Sequence, residues 1–269
     1  MNITTIINNL DRYLKVNIQE EYDNSGRQII FHDKEVTSIL LSLDIDSSVV
    51  DEALDRNCDL IITHHPLFFK PLRHIGTYDA KSSLVVKLID KRINVYSAHT
   101  NLDKLLYDKL ARTIGFTDIE IMYPEPGMDA GMGALASLEK PVGLNEMLAR
   151  VKKALDLDYI HYSGDAGKKI KRVALMNGAG GGSIEKIISQ FDPDCIITGD
   201  VGYHHAKYAS DSGVAVLDAG HFGTEIIMIG FLRDLVIDCL TNYGTAEDIP
   251  LCISEREKNP FRLYGTGNE

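Results

Sequence analysis

The run Asp59-Leu60-Ile61-Ile62-Thr63-His64-His65-Pro66 constrains this chain more than any other stretch. Its apolar and β-branched residues read as a short strand buried on both faces, as in a parallel sheet covered by helices. Pro66 stops the strand and turns the backbone. The two histidines then stand at the carboxyl end of a buried strand, where open α/β sheets place ligands. Taken alone, the pair leaves two readings open: a metal site, or one packed and one solvent-facing imidazole.

The surrounding pattern is α/β throughout. Ile3, Ile6, Ile7, Leu10 and Leu14 predict a helix over 2–15, and Val36–Ile45 a buried strand. Asp46-Ser47-Ser48 offers N-caps for a helix over Val49–Arg56. Beyond a long loop from Pro66 to Lys81 come a helix near Ser82–Lys91, a strand Ile93–Ala98, and a helix Leu105–Ile114 stopped by Gly115. The pattern breaks at Tyr123-Pro124-Glu125-Pro126-Gly127. This predicts a first domain over 1–125, with the helical stretch 221–250 packing back onto it, a second over 126–220, and a polar tail over 251–269. In the second part, strands are expected at Gly131–Leu138, Tyr159–Tyr162, Arg172–Met176, Asp194–Thr198 and Val214–Leu217, with helices at Leu144–Leu155, Ser183–Gln190 and Thr224–Leu240.

Shifted by 135 positions, Val49–Thr63 lies without a gap on Ile184–Thr198, and both segments end Ile-Ile-Thr. Two halves of similar strand-helix-strand topology are expected. Each half also runs to a strand ending in a histidine with a carboxylate four residues on: His99 with Asp103, and His221 with Glu225. In a helix, positions i and i+4 share a face, so each imidazole and carboxylate can meet one ion.

The assembled inventory is His64, His65, His99, Asp103, His221 and Glu225. Mixed imidazole and carboxylate donors suit zinc, iron(II) or manganese, and none of the four cysteines lies nearby to make a thiolate site. Six donors exceed the roughly four that one zinc takes, so two divalent ions are expected. Metal-assisted hydrolysis is the leading reaction class. His99 is either an additional ligand or a hydrogen-bond partner and proton carrier behind the ligands. His204 and His205 are candidates for substrate contact, and the glycine run Asn177–Ser183 for anion binding or a tight turn. His74 and Tyr78 are expected at a pocket edge, His32 and His161 in structural roles.

With 269 residues, 44% of them hydrophobic, the chain can bury a sizeable core. No apolar run approaches the roughly 18–20 residues of a membrane span, and the first fourteen residues lack a signal-peptide core, so a cytoplasmic location is expected. A net charge of -11 argues against a nucleic-acid partner. The widely spaced cysteines predict free thiols.

Several stations together resemble the Nif-three-like proteins, a dinuclear-metal family whose bacterial members are labelled GTP cyclohydrolase I type 2 homologues. They are Tyr22-Asp23-Asn24-Ser25-Gly26, Ile62 to Leu67, Ser97 to Asp103, Gly199-Asp200 through His205, and Asp218-Ala219-Gly220-His221 with Glu225. The resemblance implies two interlinked α/β domains with the metal site between them and a ring-shaped homohexamer. It also implies the ligands His64, His65, Asp103, His221 and Glu225, with His99 beside them. The compact passage from Pro124 to Gly131 leaves no room for the inserted domain of some members. Tyr22 stands where the family commonly has Trp, and Ser25 where many members are apolar. The functional expectation is a dinuclear hydrolase acting on GTP or a related nucleotide. The alternative is a non-catalytic metal-binding regulator or carrier.

Overall fold

The computed structural model describes residues 1–244 and 249–264. In its first half the elements are α1 (Ile3–Tyr13), β1 (Gly26–Ile29), β2 (Ile39–Ser42), α2 (Ser47–Asp55), β3 (Leu60–Thr63), α3 (Ala80–Asp90), β4 (Asn94–Ser97), α4 (Thr100–Leu105) and α5 (Lys109–Ile114). In the second half come β5 (Asp118–Pro124), β6 (Gly131–Gly143), α6 (Leu144–Ala154), β7 (His161–Ser163), β8 (Lys169–Leu175), α7 (Ile184–Phe191), β9 (Cys195–Thr198), α8 (Tyr203–Asp211), β10 (Ala215–Asp218), α9 (His221–Glu225), α10 (Met228–Asn242) and β11 (Leu251–Ile253).

Two sheets result, ordered β1-β4-β3-β2-β11 and β5-β6-β8-β9-β10-β7. In the first, β2, β3 and β4 run parallel and β1 closes the edge antiparallel to β4. In the second, β8, β9 and β10 run parallel and β7 closes the edge antiparallel to β10. Both halves follow the chain order helix, edge strand, strand, helix, strand, helix, strand, short helix. The central strands β3 and β9 lie at the 135-residue displacement seen in the sequence. The echo is therefore a repeated topology. The parallel strands β2, β3 and β9 are buried along their whole length, which is why they read as continuous apolar runs.

One core joins the halves: Ile6, Leu41 and Ile62 from the first, Ala134, Val173 and Ile197 from the second, and Leu232 and Val236 of α10 belong to the same buried cluster. Separate clusters fill the outer faces, under α2 and α3 on one sheet and under α7 and α8 on the other. Asp46 caps α2 by accepting from the Val49 N–H at 2.9 Å, and Gly115 ends α5 with φ +93°.

Four sequence expectations shift. The boundary expected at residue 125 falls inside the β5–β6 hairpin, so β5 belongs to the second sheet; a Pro-Gly turn marks a hairpin and a linker alike. The helix expected over 105–114 is two short helices, because Leu106 to Asp108 interrupt it. The helix expected over 224–240 divides likewise into α9 and α10. The polar tail contributes β11, parallel to β2, and α10 packs back against α1, β2 and β11. Among the described residues no helix is long and apolar enough to cross a membrane.

Candidate metal centre

The carboxyl ends of the parallel strands face each other across the junction of the two sheets. Asp44 follows β2, His64 and His65 follow β3, and His99 follows β4. From the other sheet, Asn177 and Gly178 follow β8, Asp200 follows β9, and His221 follows β10. His64 and His65 continue the ladder, donating their N–H groups to Ser42 and Leu43 carbonyls, and the Thr63 hydroxyl donates to the His65 carbonyl at 2.7 Å. The short helices α4 and α9 then deliver Asp103 and Glu225 one turn beyond His99 and His221.

Each of the four imidazoles is held through Nδ1. His64 Nδ1 lies 2.8 Å from the Ala98 carbonyl, and His65 Nδ1 2.8 Å from Asp44. His99 Nδ1 is 2.7 Å from Asp23, and His221 Nδ1 2.7 Å from Asp200. A carboxylate or carbonyl only accepts, so each Nδ1 carries a proton, and in the neutral ring Nε2 presents a lone pair. This is how proteins orient histidines that ligate metals.

The Nε2 atoms turn to a common space with the two carboxylates. His64 Nε2 lies 3.4 Å from Asp103 Oδ1 and 3.8 Å from Glu225 Oε1. Glu225 Oε2 is 3.0 Å from His65 Nε2 and 2.9 Å from His221 Nε2. Two donor groups share His65, one with His64 and His99 and one with His221 and Glu225. His64 is fully buried, Glu225 and Asp103 nearly so, and His221 is the most open of the histidines.

Burial and charge pull against each other here. Burial opposes the charged form of His65, but the Asp44 and Glu225 carboxylates beside it outweigh this and lift its pKa to about 10. The Glu225 carboxylate, 2.9 Å from its Nε2, lifts His221 to about 9 against the effect of burial. Burial also works against ionised Glu225, yet His221, His64 and His65 hold it well below the carboxylate range. Burial raises Asp103, with His64 opposing. The cluster thus demands positive charge at its centre.

The residues fit a divalent cation. Buried His64 Nε2 and Glu225 Oε2 have no hydrogen-bond partner of acceptable geometry, and a cation satisfies both. The donors are imidazole nitrogens and carboxylate oxygens, the set that suits zinc, iron or manganese.

The second half supplies what the sequence reading missed. Asn177 Nδ2 donates to Asp103 Oδ1 at 2.6 Å, and the Gly178 N–H to Thr224 Oγ1 at 2.9 Å. A Cβ at Gly178 would stand 1.9 Å from Glu225 Oε1, and φ there is +60°. The glycine run is therefore a close-packed turn against the centre. Asp44 and Asp200 were legible only as polar residues after strands; the strand-end rule is the signal that finds them.

A family model described as Duf34/NIF3 (NGG1p interacting factor 3) matches residues 1–260. The chain belongs to the DUF34/NIF3 family. A protein named GTP cyclohydrolase 1 type 2 homolog from Clostridium acetobutylicum is 32% identical over 268 residues, covering 98% of this chain and 99% of its own. A protein of the same name from Campylobacter jejuni is 35% identical over 272 residues, covering 98% of this chain and 100% of its own. The crystal structure of a hypothetical protein from Staphylococcus aureus matches with a TM-score of 0.89 at 26% identity, over 98% of this chain and 99% of that one. The expected fold, two interlinked α/β units, is the NIF3 fold.

A cavity of 1010 Å³ opens beside the NIF3 chain's cluster, lined by His65 and His221. His204 and His205 do not line it; Asp200, Val201 and Gly202 do. His204 is exposed at the start of α8 with its ring 5.3 Å from that of Tyr203, and His205 is half-buried. The helix begins at Tyr203 and carries both away from the strand end. His161 lines the cavity, whereas the sequence suggested only a structural role.

Proposed function

We propose that the cluster is a two-cation centre performing hydrolysis on a nucleotide or related substrate. The observation that carries this reading is the set of four imidazoles, each fixed through Nδ1, whose Nε2 atoms share one space with Asp103 and Glu225. His64, Asp103 and His99 would hold one ion and His65 and His221 the other. Glu225, near His64, His65 and His221, would touch both. A pair of divalent ions supplies Lewis-acid polarisation and makes water acidic enough to lose a proton near neutrality.

The chain's own residues do the rest. Asp44 and Asp200 keep the Nε2 lone pairs of His65 and His221 aimed, so the donor geometry exists before any ion arrives. Asp23, which also accepts from the Thr100 N–H and hydroxyl, fixes the His99 ring through Nδ1 and keeps its Nε2 turned toward the cluster. The cavity beside His65 and His221 admits substrate. The names of the Clostridium and Campylobacter relatives support GTP as the first substrate to try. We propose the homohexameric ring as the working assembly; light scattering that gave the mass of six chains would support it, and a monomer would oppose it.

The test is turnover of GTP and a panel of nucleotides, phosphoesters and amides by metal-loaded protein. Wild type should turn over at least one substrate, and His65→Ala and Glu225→Gln should lose activity by orders of magnitude while staying folded. Bound metal without turnover across the panel would favour the carrier reading instead.

A further inference from the structure

The stretch after β11 has no helix or strand, yet it is held firmly. The buried Glu52 carboxylate accepts from the Ser254 hydroxyl at 2.6 Å and from the Glu255 and Arg256 N–H groups at 3.1 and 3.2 Å. Glu257 in turn accepts from the Leu43 and Asp44 N–H groups at 2.8 and 2.5 Å, beside the aspartate that orients His65. These two clamps set the following residues against the cavity of 1010 Å³ that also reaches His65 and His221. A volume of that order suffices for a nucleotide, since ligand pockets run to about 1,000 Å³.

The arm brings specific chemistry to this wall. Phe261 lines the cavity while 73% exposed, and Arg262, whose Nη1 donates to the Asn259 and Phe261 carbonyls and leaves its other guanidinium nitrogens for a ligand, is the one Lys or Arg among the described lining residues. Of the five lining aspartates, Asp44 and Asp200 are engaged by His65 and His221 and Asp218 by the N–H groups of Val201 and Gly220, and Asp156 and Asp158 complete the set. A guanidinium is suited to paired hydrogen bonds with phosphate, and an aromatic face to a base of any identity.

We propose that residues 254–263 form a recognition arm of the pocket, which takes a nucleoside phosphate with Phe261 against the base and Arg262 on the phosphate. This deepens the reading of the neighbouring cluster as a metal centre and rests on it.

The chain contains no tryptophan, so Phe261→Trp introduces a single reporter. Zinc-loaded protein carrying it is titrated with GMP, guanosine and ribose 5-phosphate, and its metal content is measured on the same sample. The proposal expects saturable quenching by GMP and guanosine but not by ribose 5-phosphate. Adding Arg262→Ala should weaken GMP about tenfold or more and leave guanosine within about twofold. Unchanged emission with all three probes overturns it, as does an Arg262→Ala variant that binds GMP normally. Emission that follows protein concentration but not ligand also overturns it, making the arm a contact between copies. Loss of bound metal in unmutated protein would sink the metal-centre reading separately.

Discussion

His65 and His221 lie 156 positions apart in sequence and meet through their Nε2 atoms at 3.2 Å. Each is fixed from behind by an aspartate, and Glu225 Oε2 lies within 3.0 Å of both. Two lone pairs facing at that separation repel unless positive charge sits between them. A proton meets the need in part; a divalent cation meets it while satisfying the buried His64 and Glu225 atoms as well. The contact also joins the carboxyl ends of the two sheets, so an ion bound there would add a tie between halves that already share one core.

Chelation should therefore weaken the whole fold. An ion at a hundredfold excess over its Kd stabilises the folded state by about 2.7 kcal/mol, which for a chain of this size is a melting shift of about 5–10 °C. Differential scanning calorimetry with and without EDTA checks this, and equal melting temperatures would contradict it.

The aspartates behind the histidines should matter without touching the ions. Asp44→Ala and Asp200→Ala free the ring each one anchors, and each is expected to lower metal affinity about 10- to 100-fold with the circular dichroism spectrum unchanged. Competition with a chromogenic chelator measures the loss.

Two glycines four residues apart, Gly178 and Gly182, should respond differently. Gly178→Ala forces a left-handed backbone that costs roughly 1–2 kcal/mol and pushes a methyl into Glu225, so both stability and bound metal should fall. At Gly182 a Cβ meets nothing within 4 Å, and Gly182→Ala should stay within about 0.5 kcal/mol of wild type.

Acid should release the arm. Hydrogen bonds from Ser254, Glu255 and Arg256, with the nearby Arg56, hold Glu52 below its ordinary value of 4.5 although burial opposes ionisation. A depressed folded pKa means that the contribution is present above pH 4.5 and is lost as pH falls through the folded value. Glu52→Gln should cost about 1–3 kcal/mol at neutral pH and flatten that acid limb in a stability-versus-pH titration.

The sequence disclosed the parts of this molecule whose signals are local. Buried parallel strands read as apolar runs, Asp46 announced a helix start, and the i, i+4 spacing of His99 with Asp103 and of His221 with Glu225 survived because α4 and α9 are single helical turns. What stayed hidden acts across tertiary distance. Asn177 reaches Asp103 from the other sheet, and Asp44 and Asp200 resemble ordinary turn residues until their histidines arrive. The doublet His204-His205 copies His64-His65 in letters but does not line the cavity. The displacement that lays β9 on β3 sets Gly199 and Asp200 opposite that pair, and it is Asp200 that reaches the centre. Likewise β11 is three residues long, too short to show a period, and takes its place from the neighbouring β2 ladder.

The most direct test of the centre is elemental analysis of protein purified without chelators, by plasma mass spectrometry against protein concentration. About two divalent ions per chain are expected, falling below one in a His65→Ala, Glu225→Gln double variant. Wild-type protein that carries no divalent ion, and takes up none when dialysed against zinc, iron(II) or manganese, would contradict the account.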